Sequence, residues 1–224
     1  MTSVLLKSSE PTGKREQTKS NNRKIILDAA KQVFAKLGYG AATVRDIIGA
    51  TPLASGTFYN YFKSKDEIYQ ALRDEAALAI RPRLRLARRN AASVEKFICD
   101  SFAIYFEYVA RERQNFRFMR CGNEKMQMRL DTPEVIAGFE ELREDIYRAI
   151  AIGFFPQIDA DYLMSAIVGI ALEVASRMIL RTPPDPKGAA DFASQLVING
   201  LHTLPLVEPV SNKAAVSLNV NSNQ

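Results

Sequence analysis

From about residue 21 to residue 204 apolar side chains recur at intervals of three and four, with no sustained alternation of period two and no Asn-Gly or Asp-Gly hairpin signal. This pattern predicts an all-α chain of about nine helices. Ile26, Ala29, Ala30, Val33, Phe34 and Leu37 share one face of a first helix over about Asn22–Leu37, which Gly38 closes. Thr43 with Asp46 forms the cap of a second helix, and a short third covers about Ser55–Tyr61. The run Ser64–Glu67 reads as a full capping box for a fourth, which reaches about Asn90 with Pro82 as a kink or break. Ser93 opens a fifth helix to about Glu112, and a sixth covers about Gln114–Met128. Pro133 sits in the first turn of a seventh, which carries Val135, Phe139, Leu142, Ile146 and Ile150 on one face and stops near Pro156. Asp159 caps an eighth, to about Leu180, and Asp185 a ninth, to about Leu204. The polar stretches 1–20 and 205–224 are expected to be a disordered basic arm and a disordered tail.

Composition changes this picture mainly by exclusion. With His202 the single histidine, a multi-His metal site and paired catalytic histidines are ruled out, and no metal or cofactor is expected. Cys99 and Cys121 form no C-x-x-C, so a disulfide scaffold is not expected and a reducing cytoplasm fits best. The start, MTSVLLKSSEPTGK, lacks the apolar core of a signal peptide, and the longest apolar stretch is broken by Glu173 and Arg177, so no membrane partner is expected. Charge is unevenly placed. Residues 1–65 hold 11 Lys/Arg against 4 Asp/Glu, and residues 66–224 hold 19 against 21. A basic head on a near-neutral body suggests one surface that meets a polyanion. A basic, merely solvated tail would give the same count.

The segment Thr43–Ile68, TVRDIIGATPLASGTFYNYFKSKDEI, has the layout of a helix-turn-helix. Val44, Ile47, Leu53, Phe58 and Phe62 can form a small core. Ser55, Gly56, Thr57, Tyr59, Asn60 and Tyr61 are then the exposed set of the third helix, with no acid among them to be repelled by phosphate. Such a face can enter a major groove about 12 Å wide. The rings of Tyr59 and Tyr61 could alternatively pack in that core.

With the preceding ILDAAKQVFAKLGYGAATV, this stretch resembles the TetR family of bacterial transcriptional regulators, most specifically in GTFYNYFKSKDEI at Gly56–Ile68. The resemblance implies an N-terminal DNA-binding domain, here 21–66, and an effector-binding and dimerisation domain, here 67–204. It also implies residue roles. Thr43 would contact phosphate, and Arg45 phosphate or a base edge. Ser55 and Gly56 would lie nearest the bases, Gly56 because a side chain would block approach. Thr57, Tyr59 and Tyr61 would donate to phosphates, Asn60 would meet a base or sugar, and Lys65 would meet phosphate at the start of the fourth helix. Family members commonly carry Gly where this chain has Pro52, so the turn is expected to follow a different path.

The eighth helix, DYLMSAIVGIALEVASRMILR, is apolar nearly all round, so it needs a covering surface on more than one side. Ala166, Gly169, Glu173 and Arg177, with Phe192, Leu196 and Gly200 of the ninth helix, are the expected interface of a two-fold homodimer. The resemblance implies the same. Glu173 and Arg177 can also simply pair with each other at i and i+4. The fifth helix is rich in aromatic residues. The resemblance implies an effector pocket among these helices, and Phe102, Tyr105, Phe106, Cys121 and Phe139 are candidates to line it for a small apolar or aromatic molecule, an acyl chain being one form, with a polar anchor from Tyr105, Glu107, Glu173 or Arg177. The same rings could simply fill the core. The cluster Arg81, Arg83, Arg85, Arg88 and Arg89 is expected to pair with acidic neighbours, or less favourably to hold an anionic head group.

The favoured reading is a non-enzymatic repressor that binds a palindromic operator on double-stranded DNA as a homodimer and is released by a small molecule. A helical lipid carrier or enzyme, and a regulator that activates or answers to a protein partner, are the alternatives.

Overall fold

The computed structural model describes residues 11–113 and 132–204. These form eight helices and no strand: α1 Pro11–Ala41, α2 Val44–Gly49, α3 Ser55–Tyr59, α4 Lys65–Arg89, α5 Val94–Arg111, α6 Pro133–Ala151, α7 Ala160–Met178 and α8 Pro186–Leu201. The sixth helix expected over 114–128, with Cys121, and the tail expected from residue 205 lie outside the described residues. So do the first ten residues of the expected arm.

Local chemistry accounts for most boundaries. Thr43 and Asp46 cap α2 reciprocally: the Asp46 amide donates to Thr43 Oγ1 at 3.2 Å, and the Thr43 amide to Asp46 Oδ2 at 2.9 Å. Asp159 Oδ1 accepts from the Tyr162 amide and Asp185 Oδ1 from the Gly188 amide, starting α7 and α8. Gly38, at φ 77°, interrupts α1, and the chain makes one further turn to Ala41.

Three expectations change. α1 begins at Pro11, so the last ten positions of the expected arm are helical. That segment is polar all round and carries no periodic apolar signal, which is why it reads as disorder. The box at Ser64 is only half formed. Ser64 Oγ accepts from the Glu67 amide, but Glu67 Oε2 accepts from the Lys63 amide at 2.8 Å instead of from Ser64. Pro82 does not end α4, which runs on to Arg89.

The chain divides into two compact units, and the division falls inside α4, after Arg81, rather than at residue 66. Among the described residues the first unit joins 11–81 with 108–113 and 132–138. Its core includes a cluster of Ile26, Ala30 and Phe34 of α1, Ile47 of α2, Phe58 of α3 and Ile68, Tyr69 and Leu72 of α4. Outside that cluster Lys31 meets Glu75 at 2.8 Å, and the Glu134 amide donates to Asp74 at 3.1 Å.

Among the described residues the second unit joins 82–107 with 139–204. Phe97 meets Phe155 edge-on at 5.3 Å between ring centroids. α7 packs against α8, which offers Ala189, Ala190, Ala193 and Val197 as its buried face. Arg88 and Asp145 form an ion pair at 2.7 Å with 5% and 9% of their side chains exposed. Asp145 also accepts from Arg148 at 2.9 Å. No helix among the described residues is long and apolar enough to cross a membrane.

Candidate nucleic-acid interface

α3 has five residues, too few to hold helical form in isolation. It is held by Phe58, which is 0% exposed and sits in the first unit's core. The turn that delivers it is built without a left-handed residue, since the positive φ values belong to Gly38 and Gly153 among the described residues. Thr51 ties it instead. Its hydroxyl donates to the Ile48 carbonyl at 2.9 Å and accepts from the Leu53 amide at 3.3 Å. Proline at position 52 suits this path, because no positive φ is needed there.

With Phe58 inward, Ser55, Gly56, Tyr59 and Asn60 are exposed, and Thr57 is half-buried. The Tyr59 ring stands edge-on to Phe58 at 5.5 Å and remains 54% exposed. A Cβ built on Gly56 would meet nothing within 4 Å, so the fold itself does not require glycine there. Arg45 and Lys63 are exposed nearby in sequence, and α3 has no acid in its first turn. The surface is therefore small, hydroxylated and cationic at its flanks. It can offer hydroxyls and an amide to phosphates and base edges.

Tyr61 is divided between two roles. It packs, half-buried, against the core cluster, and its hydroxyl accepts from Asn22 Nδ2 at 3.3 Å. Thr43 is exposed, but both of its donors are engaged. Its hydroxyl reaches Asp46 Oδ2 at 2.6 Å, and its amide reaches the same oxygen. These bonds hold the Asp46 carboxyl below its ordinary range.

Lys65 departs most from expectation. Its ammonium donates to the carbonyls of Tyr39 at 3.0 Å, Gly40 at 3.2 Å and Ala42 at 3.0 Å, and lies 4.7 Å from the centroid of the Tyr39 ring. Its three donors are thus occupied by the turn that closes α1, so the side chain pins the module together rather than standing ready for phosphate. Asp66, beside it, accepts from the Tyr39 hydroxyl; burial first, and this bond second, push that phenol well above its ordinary range. Neither contact was visible from residue types alone. Nor were Asn22 and Arg23, whose side chains meet Tyr61 and the Phe62 ring. The helical register running N-terminally from Ile26 was the available signal.

Among the other expected residues, Phe102 and Phe106 are buried and stacked at 5.8 Å, and Tyr105 meets Phe106 edge-on at 5.6 Å. Phe139 is half-buried, and Cys121 lies outside the described residues. Glu173 is not with the rings. Its side chain is 70% exposed and pairs with Arg177 at 3.5 Å, so it is no candidate anchor inside this unit. The expected interface positions Ala166, Gly169, Glu173, Arg177, Phe192 and Leu196 are all exposed, and Gly200 is half-buried. Tyr162, also exposed, joins them on α7. The arginine cluster pairs as expected at three positions: Arg81 with Glu134, Arg85 with Glu141 at 3.6 Å, and Arg88 with Asp145.

Residues 26–72 match the model of the bacterial regulatory proteins of the tetR family. Among solved structures, the fatty acid degradation regulator FadR of Bacillus halodurans is similar, with 27% identity over 80% of this chain and 95% of that one, at TM-score 0.67. A TetR-family transcriptional regulator of Syntrophomonas wolfei shares the fold at 18% identity, covering 85% of this chain and 100% of its own, at TM-score 0.70. FadR of Bacillus subtilis, solved in complex with stearoyl-CoA, shares it at 22% identity over 79% and 98%, at TM-score 0.67.

Proposed function

The chain belongs to the TetR family of bacterial regulatory proteins, which are DNA-binding transcriptional regulators, and on that footing we propose that it is a homodimeric repressor that sets α3 in the major groove of a palindromic operator. The observation that carries this reading is α3 itself: five residues, one buried ring, and an exposed face of Ser55, Gly56, Tyr59 and Asn60 without an acid. Glycine inside a helix costs about 0.5–1 kcal/mol relative to alanine, and Gly56 has open space around it. A partner that approaches the backbone closely accounts for a residue the fold would be better without.

Gly56→Ala separates the two explanations. Thermal unfolding of the variant is expected to show equal or slightly greater stability. Its mobility shift on the operator, located by footprinting DNA upstream of its own gene, is expected to weaken at least tenfold. Operator binding equal to the parent's removes α3 from the bases.

The homodimer is supported by α7 and α8, which leave Tyr162, Phe192 and Leu196 exposed beside Ala166 and Gly169 on the described chain. Two copies would place two α3 helices in successive major grooves about 34–36 Å apart. Sedimentation of the Phe192→Glu, Leu196→Glu double variant is expected to give a monomer where the parent sediments as a dimer. A parent monomer at micromolar concentration ends the dimer reading.

The effector is proposed to be a small, largely apolar molecule. The stacked Phe102 and Phe106, with Tyr105 and Phe139 in the same unit, favour an apolar or aromatic ligand. The stearoyl-CoA held by the Bacillus subtilis FadR favours an acyl chain as its form. Release from DNA then requires the ligand to bind one conformation of the body more tightly than the other.

A further inference from the structure

α1 is longer than its core needs. Its first buried side chain is Ile26, and residues 13–21 are all exposed. Between Pro11 and Lys24 the helix carries Lys14, Arg15, Lys19, Arg23 and Lys24 against Glu16 alone. A helix that is polar on every side buries nothing of its own chain, so its stability does not explain it. Nor do Lys14, Arg15 and Lys19 pair with a carboxylate among the described residues.

The register of this extension fixes what it accompanies. Arg15, Lys19, Asn22 and Ile26 stand at i, i+4, i+7 and i+11, along one line of the helix. At Ile26 that line enters the core shared with Phe58. At Asn22 it touches the Tyr61 hydroxyl, two residues past the end of α3, while Arg23 stacks 5.5 Å from the Phe62 ring centroid. The same line therefore leaves the module at the rim where α3 ends and continues outward as Arg15 and Lys19.

We propose that the N-terminal extension of α1 is a second DNA contact: a rigid basic arm whose Arg15 and Lys19 bind phosphates flanking the groove that α3 occupies. This deepens the DNA-binding reading above and rests on it. The eleven residues from Pro11 to Asn21 span about 16 Å at 1.5 Å per residue. That is the reach of about five phosphates along one strand. The contact carries no base information. It adds affinity and salt dependence and lengthens the protected site at both ends.

The test uses the full-length dimer and the operator located by footprinting with the parent protein. In the Arg15→Gln, Lys19→Gln variant the log affinity against log salt is expected to flatten by about 0.9 for each phosphate lost, hence by about two per protomer. Its footprint is expected to shorten at both edges, with the preference for operator over random DNA unchanged. A charge-matched Arg83→Gln, Arg89→Gln variant is expected to keep the parent slope and footprint. Parent-like slope and footprint in the arm variant overturn the arm while leaving the α3 reading intact. Equal flattening in the two variants also overturns it, since net charge would then suffice. A parent protein that protects no DNA overturns both readings.

Discussion

Lys65→Ala is expected to destabilise the DNA-facing unit by about 3 kcal/mol while leaving the salt dependence of operator binding unchanged. Hydrogen bonds to a charged donor contribute roughly 1.5–3 kcal/mol each, and partial exposure discounts the three made here. The ammonium gathers the carbonyls of Tyr39, Gly40 and Ala42, which follow the break at Gly38. Without it, that turn has no cation to close on, and Thr43 at the head of α2 follows directly. Arginine is expected to restore little, because its planar fork cannot aim three donors at one cluster of carbonyls as an ammonium can. Urea unfolding of the full chain, followed by near-ultraviolet dichroism, reads the first effect, and anisotropy titrations at several salt concentrations read the second. A variant of parent stability with a flatter salt slope would make Lys65 a phosphate contact after all.

A loss of about 3–5 kcal/mol is expected for Asp145→Ala in the second unit. The Arg88 side chain is 5% exposed. Removing Asp145 strands that charge, because the carboxylate accepts from Arg88 Nε at 2.7 Å while its other oxygen holds Arg148. The penalty comes from an uncompensated buried ion rather than from the worth of the pair. Replacing both partners by leucine, as Arg88→Leu with Asp145→Leu, is therefore expected to recover most of the stability. Urea midpoints of the two variants measured side by side test this. Equal losses in the single and double variants would mean that shape, not charge, governs the site.

These two residues also show where a sequence stops being informative. The caps of α2, α7 and α8 were legible because a capping side chain bonds to a backbone group within three residues. The helix-turn-helix was legible for a related reason. Its core positions, Ile47, Phe58 and Phe62, lie close together in the chain. Lys65 is expected at a phosphate from its place at the start of α4, but its bonds reach back 23 to 26 positions, and nothing in its own surroundings names those carbonyls. The arginine cluster shows the same split. Its pairing with acids was expected on charge, whereas the burial of Arg88 alone among them depends on how α4 meets α6 in the second unit. The sequence offers Glu173 three roles, at a dimer interface, as an effector anchor and as the i, i+4 partner of Arg177, and the exposed pair is the contact the fold displays.

The shortness of α3 has a consequence for how this regulator could change its target. One side chain, Phe58, anchors the helix, and Ser55, Gly56, Tyr59 and Asn60 lie outside the core. The fold therefore places few demands on those four positions. They can be diversified together, in a library or over generations, at small cost to folding. On the proposed reading of α3, operator preference can then drift while the scaffold stays put, and two descendants of this gene could part company over a handful of codons.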